Sequence, residues 1–293
     1  MRHFYLLVIV AAVAFATAAK ADAPERILSV GGSTTEIVYA LGAGERLVGV
    51  DTTSLYPEAA THLPNVGYVR QLSAEGLLSL HPDVILAGSE AGPPNALVQV
   101  EKTGVRILRM NAGYTSEAVD QHIVAIGQEL RREKEAAALR ATFNADMATV
   151  TTEIAKVTKR PRVMFLLQAG RGAMLVSGKG TAADAMIALA GGENVVTGFD
   201  GYKPLSPEAA ALAAPDVLLM TSDTVAALGG EAAVFKQTAV ALTPAGQNHR
   251  LVTMDALYLA GFGPRLAHAL HDLASKLHPD RSFPALPERP WTR

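Results

Sequence analysis

Two stretches decide the fold: Ser73-Ala74-Glu75-Gly76-Leu77-Leu78-Ser79-Leu80-His81-Pro82-Asp83-Val84-Ile85-Leu86 and Ser206-Pro207-Glu208-Ala209-Ala210-Ala211-Leu212-Ala213-Ala214-Pro215-Asp216-Val217-Leu218-Leu219. Their Ser, Glu and Pro-Asp positions lie a constant 133 residues apart (206 − 73, 208 − 75, 215 − 82). Each opens on a Ser, whose side-chain oxygen can accept from the unpaired N–H groups of a helix's first turn. Each then meets Pro, which disfavours helix in the residue before it, and passes into an apolar run suited to a buried strand. A helix–Pro-Asp–strand joint recurs in many α/β proteins. Here a second echo stands in the same order, Ala40-Leu41-Gly42-Ala43-Gly44-Glu45 against Ala188-Leu189-Ala190-Gly191-Gly192-Glu193. Two echoes in order predict two similar lobes.

The surrounding pattern agrees. Short apolar runs at 27–30, 47–50, 84–87 and 106–109, and again at 163–167, 217–220 and 251–254, alternate with Ala-rich helical stretches. That alternation is the mark of α/β layers, here two Rossmann-like lobes with a ligand cleft between them. A helix is expected over 33–41, opened by Ser33 or Thr34 and closed by Gly42. Residues 115–157 hold no Pro and one Gly, Gly127. Within them Ile123, Ile126, Leu130, Leu139, Phe143, Met147, Val150 and Ile154 recur at helical spacing, fading over 131–138. This predicts a long helical connector, broken once, acting as a rigid strut. The expected plan is a signal peptide over 1–21, an N-terminal lobe over 22–114, the connector over 115–158, a C-terminal lobe over 159–279 and a Pro-rich tail over 280–293.

Composition removes whole classes. With 49% hydrophobic and 18% charged residues in 293, the chain has the make-up of a folded protein. A formal charge of −2 gives no basic field, so nucleic acid is not an expected partner. The absence of Cys excludes a disulfide scaffold, a thiolate nucleophile, a thiolate zinc site and a Cys-ligated iron–sulfur cluster. Arg2 and His3 precede an apolar run over 4–19, followed by Ala19-Lys20-Ala21. A basic start, an apolar stretch too short for a membrane anchor and small residues before a cut site predict a cleavable secretory signal. With no Cys at the cut, no lipoprotein anchor is expected there.

A two-lobed α/β protein binds at the carboxyl ends of its strands. The loops leading into the repeated helices are Asn65-Val66-Gly67-Tyr68-Val69-Arg70-Gln71-Leu72 and Asp200-Gly201-Tyr202-Lys203-Pro204-Leu205. In both a Gly-Tyr pair is followed by a cation, Arg70 or Lys203, which predicts that the two loops face each other. A phenolate is a hard oxygen donor and a recognised axial ligand of haem iron. Ferric iron and a neighbouring guanidinium both favour the anion over the phenol, and cations suit haem propionates. The structural alternative is a Tyr that simply covers a lobe edge.

On these residues the sequence resembles the periplasmic haem-binding proteins of bacterial haem ABC importers, in the helical-backbone class of substrate-binding proteins. The likeness covers residues 26–278 and is carried by Ser29-Val30-Gly31-Gly32-Ser33-Thr34-Thr35-Glu36, Gly67-Tyr68-Val69-Arg70-Gln71-Leu72-Ser73-Ala74-Glu75-Gly76 and Gly178-Lys179-Gly180-Thr181-Ala182-Ala183-Asp184-Ala185. The resemblance implies Tyr68 as the iron ligand of a transported haem b, with Arg70 as its partner or a propionate contact. Arg171, Lys179, Tyr202 and Lys203 are implied pocket or propionate residues. Glu75 and Glu208 are implied docking residues for a dimeric permease with its ATPase; as first-turn Glu residues they also suit the helix dipole. A periplasmic location follows, with an outer-membrane haem receptor system as a further implied partner. Some relatives carry a His in the second-lobe loop, whereas Gln168-Ala169-Gly170-Arg171-Gly172 has none.

Siderophore or cobalamin binding shares the fold, and the Tyr68 segment alone argues for haem over them. Zinc or manganese capture would need converging ligands. His268, His271 and His278 are spaced for it, but they read as solvent-facing positions on an amphipathic helix. An exported enzyme is the rival of another class. No Gly-x-Ser-x-Gly elbow occurs, and Gly178-Lys179-Gly180-Thr181 lacks the spacing of a phosphate loop, so Thr181 reads as a helix cap. The expectation is a carrier without catalysis.

Overall fold

The computed structural model describes residues 23–168 and 174–292. The expected signal segment and Arg171 lie outside the described residues. Among the described residues no helix is long and apolar enough to cross a membrane.

The N-terminal lobe runs β1 (Ile27–Val30), α1 (Gly32–Ala40), β2 (Leu47–Val50), α2 (Glu58–Thr61), α3 (Ala74–Leu78), β3 (Val84–Ala87), α4 (Pro94–Glu101) and β4 (Arg106–Arg109). Its strands form one parallel sheet in the order β2-β1-β3-β4. β1 and β3, at the centre, are buried along their whole length, as strands covered on both faces must be.

Two helices follow, α5 (Ser116–Glu129) and α6 (Glu133–Ile154). The C-terminal lobe comprises β5 (Arg162–Gln168), β6 (Met174–Ser177), α7 (Ala182–Leu189), β7 (Glu193–Asn194), β8 (Tyr202–Pro204), α8 (Pro207–Ala213), β9 (Val217–Thr221) and α9 (Ser222–Ala227). Short helices α10 (Glu231–Val234), α11 (Thr238–Ala241) and α12 (Pro244–Gln247) lead to β10 (Leu251–Met254), α13 (Ala256–Ala260) and α14 (Leu266–Leu277). The sheet order is β10-β9-β5-β6-β8, with β7 beside the start of β5. β10, β9 and β5 are parallel, whereas β6 and β8 run antiparallel to their neighbours. The second lobe is therefore Rossmann-like only in part. β6 follows β5 too closely for a crossover helix, and a strand so placed pairs antiparallel.

The repeat extends to individual hydrogen bonds. Asp83 Oδ2 accepts from the backbone N–H groups of Glu25 and Arg26, both at 2.9 Å. Arg26 then donates to the carbonyls of His81 and Leu80, at 2.9 and 2.7 Å. One repeat later Asp216 Oδ2 accepts from Arg162 N–H at 3.0 Å, and Arg162 donates to the carbonyls of Ala214 and Ala213, at 3.4 and 2.8 Å. His81 and Ala214 both take left-handed backbones, φ 46° and 42°. A helix leaves its last carbonyls without partners. In the second lobe Arg162 fills that need at Ala213 and Ala214; in the first, Arg26 holds the two carbonyls just past α3, and in each the Asp of Pro-Asp ties an amide where the strand begins. This is the physical content of the repeated motif.

The connector is helical and broken once, as expected, and the break folds it into a pair of helices. Arg131 adopts φ 57°, ending α5, and α6 turns back along it. Asp120 accepts from Arg140 at 2.8 and 2.7 Å and from Asn144 at 3.0 Å, which fixes α5 and α6 as an antiparallel pair. α5 packs on α1, and α6 packs on α14. One hydrophobic core runs through both lobes, from Ile37 and Leu86 through Phe143 and Met147 of α6 to Phe165 and Leu270. The tail is part of this assembly. Arg289 donates to Asp146 on α6 at 3.0 and 2.7 Å, His268 Nε2 lies 3.0 Å from the Pro287 carbonyl, and the Tyr56 hydroxyl donates to the Trp291 carbonyl at 3.2 Å.

The corner between α13 and α14 presses on the N-terminal lobe. A Cβ on Gly32 would stand 2.6 Å from Leu257 Cδ1 and 2.5 Å from the Thr53 carbonyl, so only glycine allows the approach. Arg265 donates twice to Glu36 on α1, at 3.0 and 2.6 Å, with side chains only 12% and 4% exposed. Its guanidinium also lies 3.7 Å from the centre of the Tyr56 ring. Burial pushes the Glu36 carboxyl up, against the pull of Arg265. Arg265→Ala would strand that carboxylate. It is expected to cost about 3–5 kcal/mol of unfolding free energy. Urea titration should show a much lower midpoint than for Arg140→Ala on the connector surface.

Candidate functional site

The site forms where loops leave the carboxyl ends of β2, β3 and β4. Val66 N–H donates to the Val50 carbonyl at 2.9 Å and Thr52 N–H to the Gly67 carbonyl at 3.0 Å, which carries Gly67 just past β2. Gly67 sits at φ 98°, with its N–H held by Asn65 Oδ1 at 2.8 Å. The chain then turns, Gln71 N–H closing on the Tyr68 carbonyl at 2.7 Å. Val69 and Leu72 are buried and anchor the turn. Leu72 N–H donates to the Gly92 carbonyl and Gly92 N–H to the Val69 carbonyl, both at 2.8 Å, binding the turn to the loop after β3. Tyr68 is consequently displayed, 40% exposed, on a fixed base.

Arg70 reaches into that second loop and pairs with Glu90 through Nη2. The other carboxylate oxygen of Glu90 accepts from the Tyr114 hydroxyl at 2.8 Å. Tyr114 stands just past β4, and its ring lies 5.3 Å from that of Phe262 in the other lobe. Burial, with Glu90 alongside, pushes the Tyr114 phenol up to about 12. Burial works against the Arg70 charge, but Glu90 outweighs it and the guanidinium pKa is raised. Arg70 and Tyr68 share one turn, so Glu90, Arg70 and the displayed Tyr68 stand together.

Tyr202 faces them from the second lobe, within reach of the charges on Glu90 and Arg70. It is 41% exposed. Its ring meets Phe165 edge-on at 6.4 Å, and β8 sets it opposite Ser177 of β6. Burial raises its pKa above the ordinary phenol value. Lys203 is turned away. Neighbouring residues on a strand point to opposite faces, and its ammonium lies 4.7 Å from the centre of the Phe199 ring. Lys179 is exposed in the loop after β6, tied to Phe199 and Gly201 by backbone bonds.

Glu75 and Glu208 are exposed in the first turns of α3 and α8. Ser73 accepts from Gly76 N–H at 3.0 Å and Ser206 from Ala209 N–H at 3.1 Å, so both helices are capped at corresponding atoms. The Glu208 carboxyl is held below its usual range by its own backbone N–H and by Ser206. Thr181 caps α7, accepting from Asp184 N–H at 3.0 Å.

The α14 histidines do not face solvent as their spacing suggests. His271 Nδ1 lies 3.0 Å from Asp272, His278 Nε2 lies 3.1 Å from the Ala190 carbonyl, and the tail covers His268. Among the described residues no group of three His, Cys, Asp or Glu could hold a metal ion. The sequence reading missed Glu90 and Tyr114. A signal for the second was present: Gly113-Tyr114 is another Gly-Tyr pair directly before a helix cap, Thr115.

Residues 27–258 match the family described as periplasmic binding protein, and the chain belongs to that family. Among solved structures it is similar to the periplasmic heme-binding protein BhuT in complex with two hemes. Identity is 45%, with 86% of this chain and 97% of that one covered at a TM-score of 0.82. It is also similar to the periplasmic heme-binding protein RhuT from Roseiflexus sp. RS-1 in apo form, with 40% identity, coverage of 87% and 98%, and a TM-score of 0.82. A vitamin B12-binding protein of Yersinia pestis (strain Pestoides F) is 30% identical over 175 residues, 60% of this chain and 61% of that protein's length.

Because Gly67 needs a positive φ to present Tyr68, Gly67→Ala is expected to cost about 1–2 kcal/mol of stability. Urea denaturation monitored by circular dichroism checks this, with Gly198→Ala, which has open space around it and no positive φ, as the neutral control.

Proposed function

From that membership we propose that the chain is the haem-binding component of a haem ABC importer, capturing haem b between its lobes and presenting it to a permease. One observation carries the proposal: Tyr68 stands exposed on an anchored turn that also carries Arg70, and Tyr202 of the second lobe lies within reach of the Arg70 charge. This arrangement occurs in a chain 45% and 40% identical to proteins named for heme binding.

In this reading the Tyr68 oxygen binds ferric iron, a hard cation suited to phenolate. Arg70 and Lys179 meet the ligand's carboxylates, and Arg171 is a further candidate. The exposed face of Tyr202 closes against the macrocycle. Lys203, whose ammonium rests over Phe199, is a further candidate that would have to leave that ring to meet the ligand. The carrier makes and breaks no bond within its cargo. Glu75 and Glu208 engage a two-fold permease with its ATPase, since equivalent carboxylates on equivalent helices make a pseudo-two-fold surface. The N-terminal segment delivers the chain to the periplasm, and an outer-membrane haem receptor system supplies the ligand.

Titration of the protein with hemin, read by visible absorption, tests the ligand. We expect a high-spin ferric tyrosinate spectrum. Tyr68→Ala should abolish that spectrum and weaken binding by about 100-fold or more, since loss of a mere supporting residue at a metal already costs 10–100-fold. An unchanged spectrum in Tyr68→Ala would remove the assignment. Tight binding of cyanocobalamin, indifferent to Tyr68, would favour cobalamin as the cargo. For docking, the paired change Glu75→Ala with Glu208→Ala should leave hemin affinity unaltered and sharply reduce haem uptake by cells. Normal uptake would count against the surface.

A further inference from the structure

Glu90 meets three loops at once, and the haem reading gives it no role. A fixed carboxylate in a cleft meant for a ligand with carboxylates of its own is unfavourable, because like charges repel most where water is excluded. Its partners suggest what offsets this. Arg70 has a long, freely rotating stem and a planar fork of five donors. By taking Nη2, Glu90 sets the plane of that fork and leaves the other donors of Arg70 to be aimed elsewhere.

Glu90 is itself braced. Its second oxygen holds the Tyr114 hydroxyl at 2.8 Å, and Tyr114 rests on Phe262 from the opposite lobe. The loop that carries it is closed by Ala91 N–H on the Gly88 carbonyl at 3.0 Å, and by the Gly92 bonds to the Tyr68 turn. The carboxylate is thus attached to the lobe junction on one side and to the displayed cation on the other.

We propose that Glu90 is a positioning residue for ligand capture: braced by Tyr114, it holds the Arg70 guanidinium beside Tyr68 in the orientation that receives a carboxylate of the ligand. This rests on the haem reading and adds a dependence that the reading alone lacks. Glu90 acts through Arg70, so its removal should matter only while Arg70 is present.

A double-mutant cycle with hemin tests this. In the otherwise unaltered protein, Glu90→Gln should weaken binding by about tenfold, the scale of a charge-assisted hydrogen bond. In the Arg70→Ala background the same change should cause no loss or a gain, because it removes an unpaired negative charge from the path of an anionic ligand. The tyrosinate spectrum should persist in Glu90→Gln, since Tyr68 is untouched. Tyr114→Phe removes the brace without changing charge and should weaken binding less, again only with Arg70 present. It also serves if Glu90→Gln fails to fold, as judged by circular dichroism. Equal losses in both backgrounds, or none in either, would overturn the proposal while hemin binding by the unaltered protein keeps the haem reading intact. Failure of the unaltered protein to bind hemin would remove both.

Discussion

The placement of the two lobes depends on the buried contact between Arg265 and Glu36. Removing two charges from water is costly, and the structure recovers that cost through a two-pronged hydrogen bond and a guanidinium laid over the Tyr56 ring. The corner that carries Arg265 also carries Phe262, so the pair that joins the lobes and the ring that supports Tyr114 belong to one segment. With the shared core through α6 and the tail fixed to Asp146, the cleft has walls set relative to one another. Ligand capture in such a frame calls for small adjustments rather than wide hinge closure.

What the sequence revealed followed the range of the forces involved. The strands at 27–30, 47–50, 84–87, 106–109 and 251–254 appear as read; at 27–30 and 84–87 the reason is plain, because buried parallel strands need nearly continuous apolar runs. The repeat was legible because much of its chemistry is local: a Ser cap and a Pro that ends the helix. Tyr68 and Arg70 could be read as neighbours because one short turn carries both.

The rest was settled by contacts between distant segments. Glu90 becomes notable only when the loops after β2, β3 and β4 converge. The break in the connector falls where the apolar pattern fades, but the left-handed backbone of Arg131 that turns α6 back along α5 has no signal in the residue itself. Lys203 looked equivalent to Arg70, yet strand alternation at β8 sends it to the Phe199 face. His268 looked outward because the Pro287 segment that covers it comes afterwards in sequence, and His278 because its partner, the Ala190 carbonyl, lies far back in the chain.

The twin joints carry a consequence for how such a protein can change. Each lobe fastens a strand to a helix end with one Arg and one Asp, using backbone atoms remote from the cleft. The residues proposed to meet cargo stand instead on loops at the strands' opposite ends. Frame and cargo preference are thereby written in separate parts of the chain. Loops exchanged between members of the family would alter what is carried while leaving the scaffold's own fastenings untouched, which makes the architecture modular in the engineer's sense.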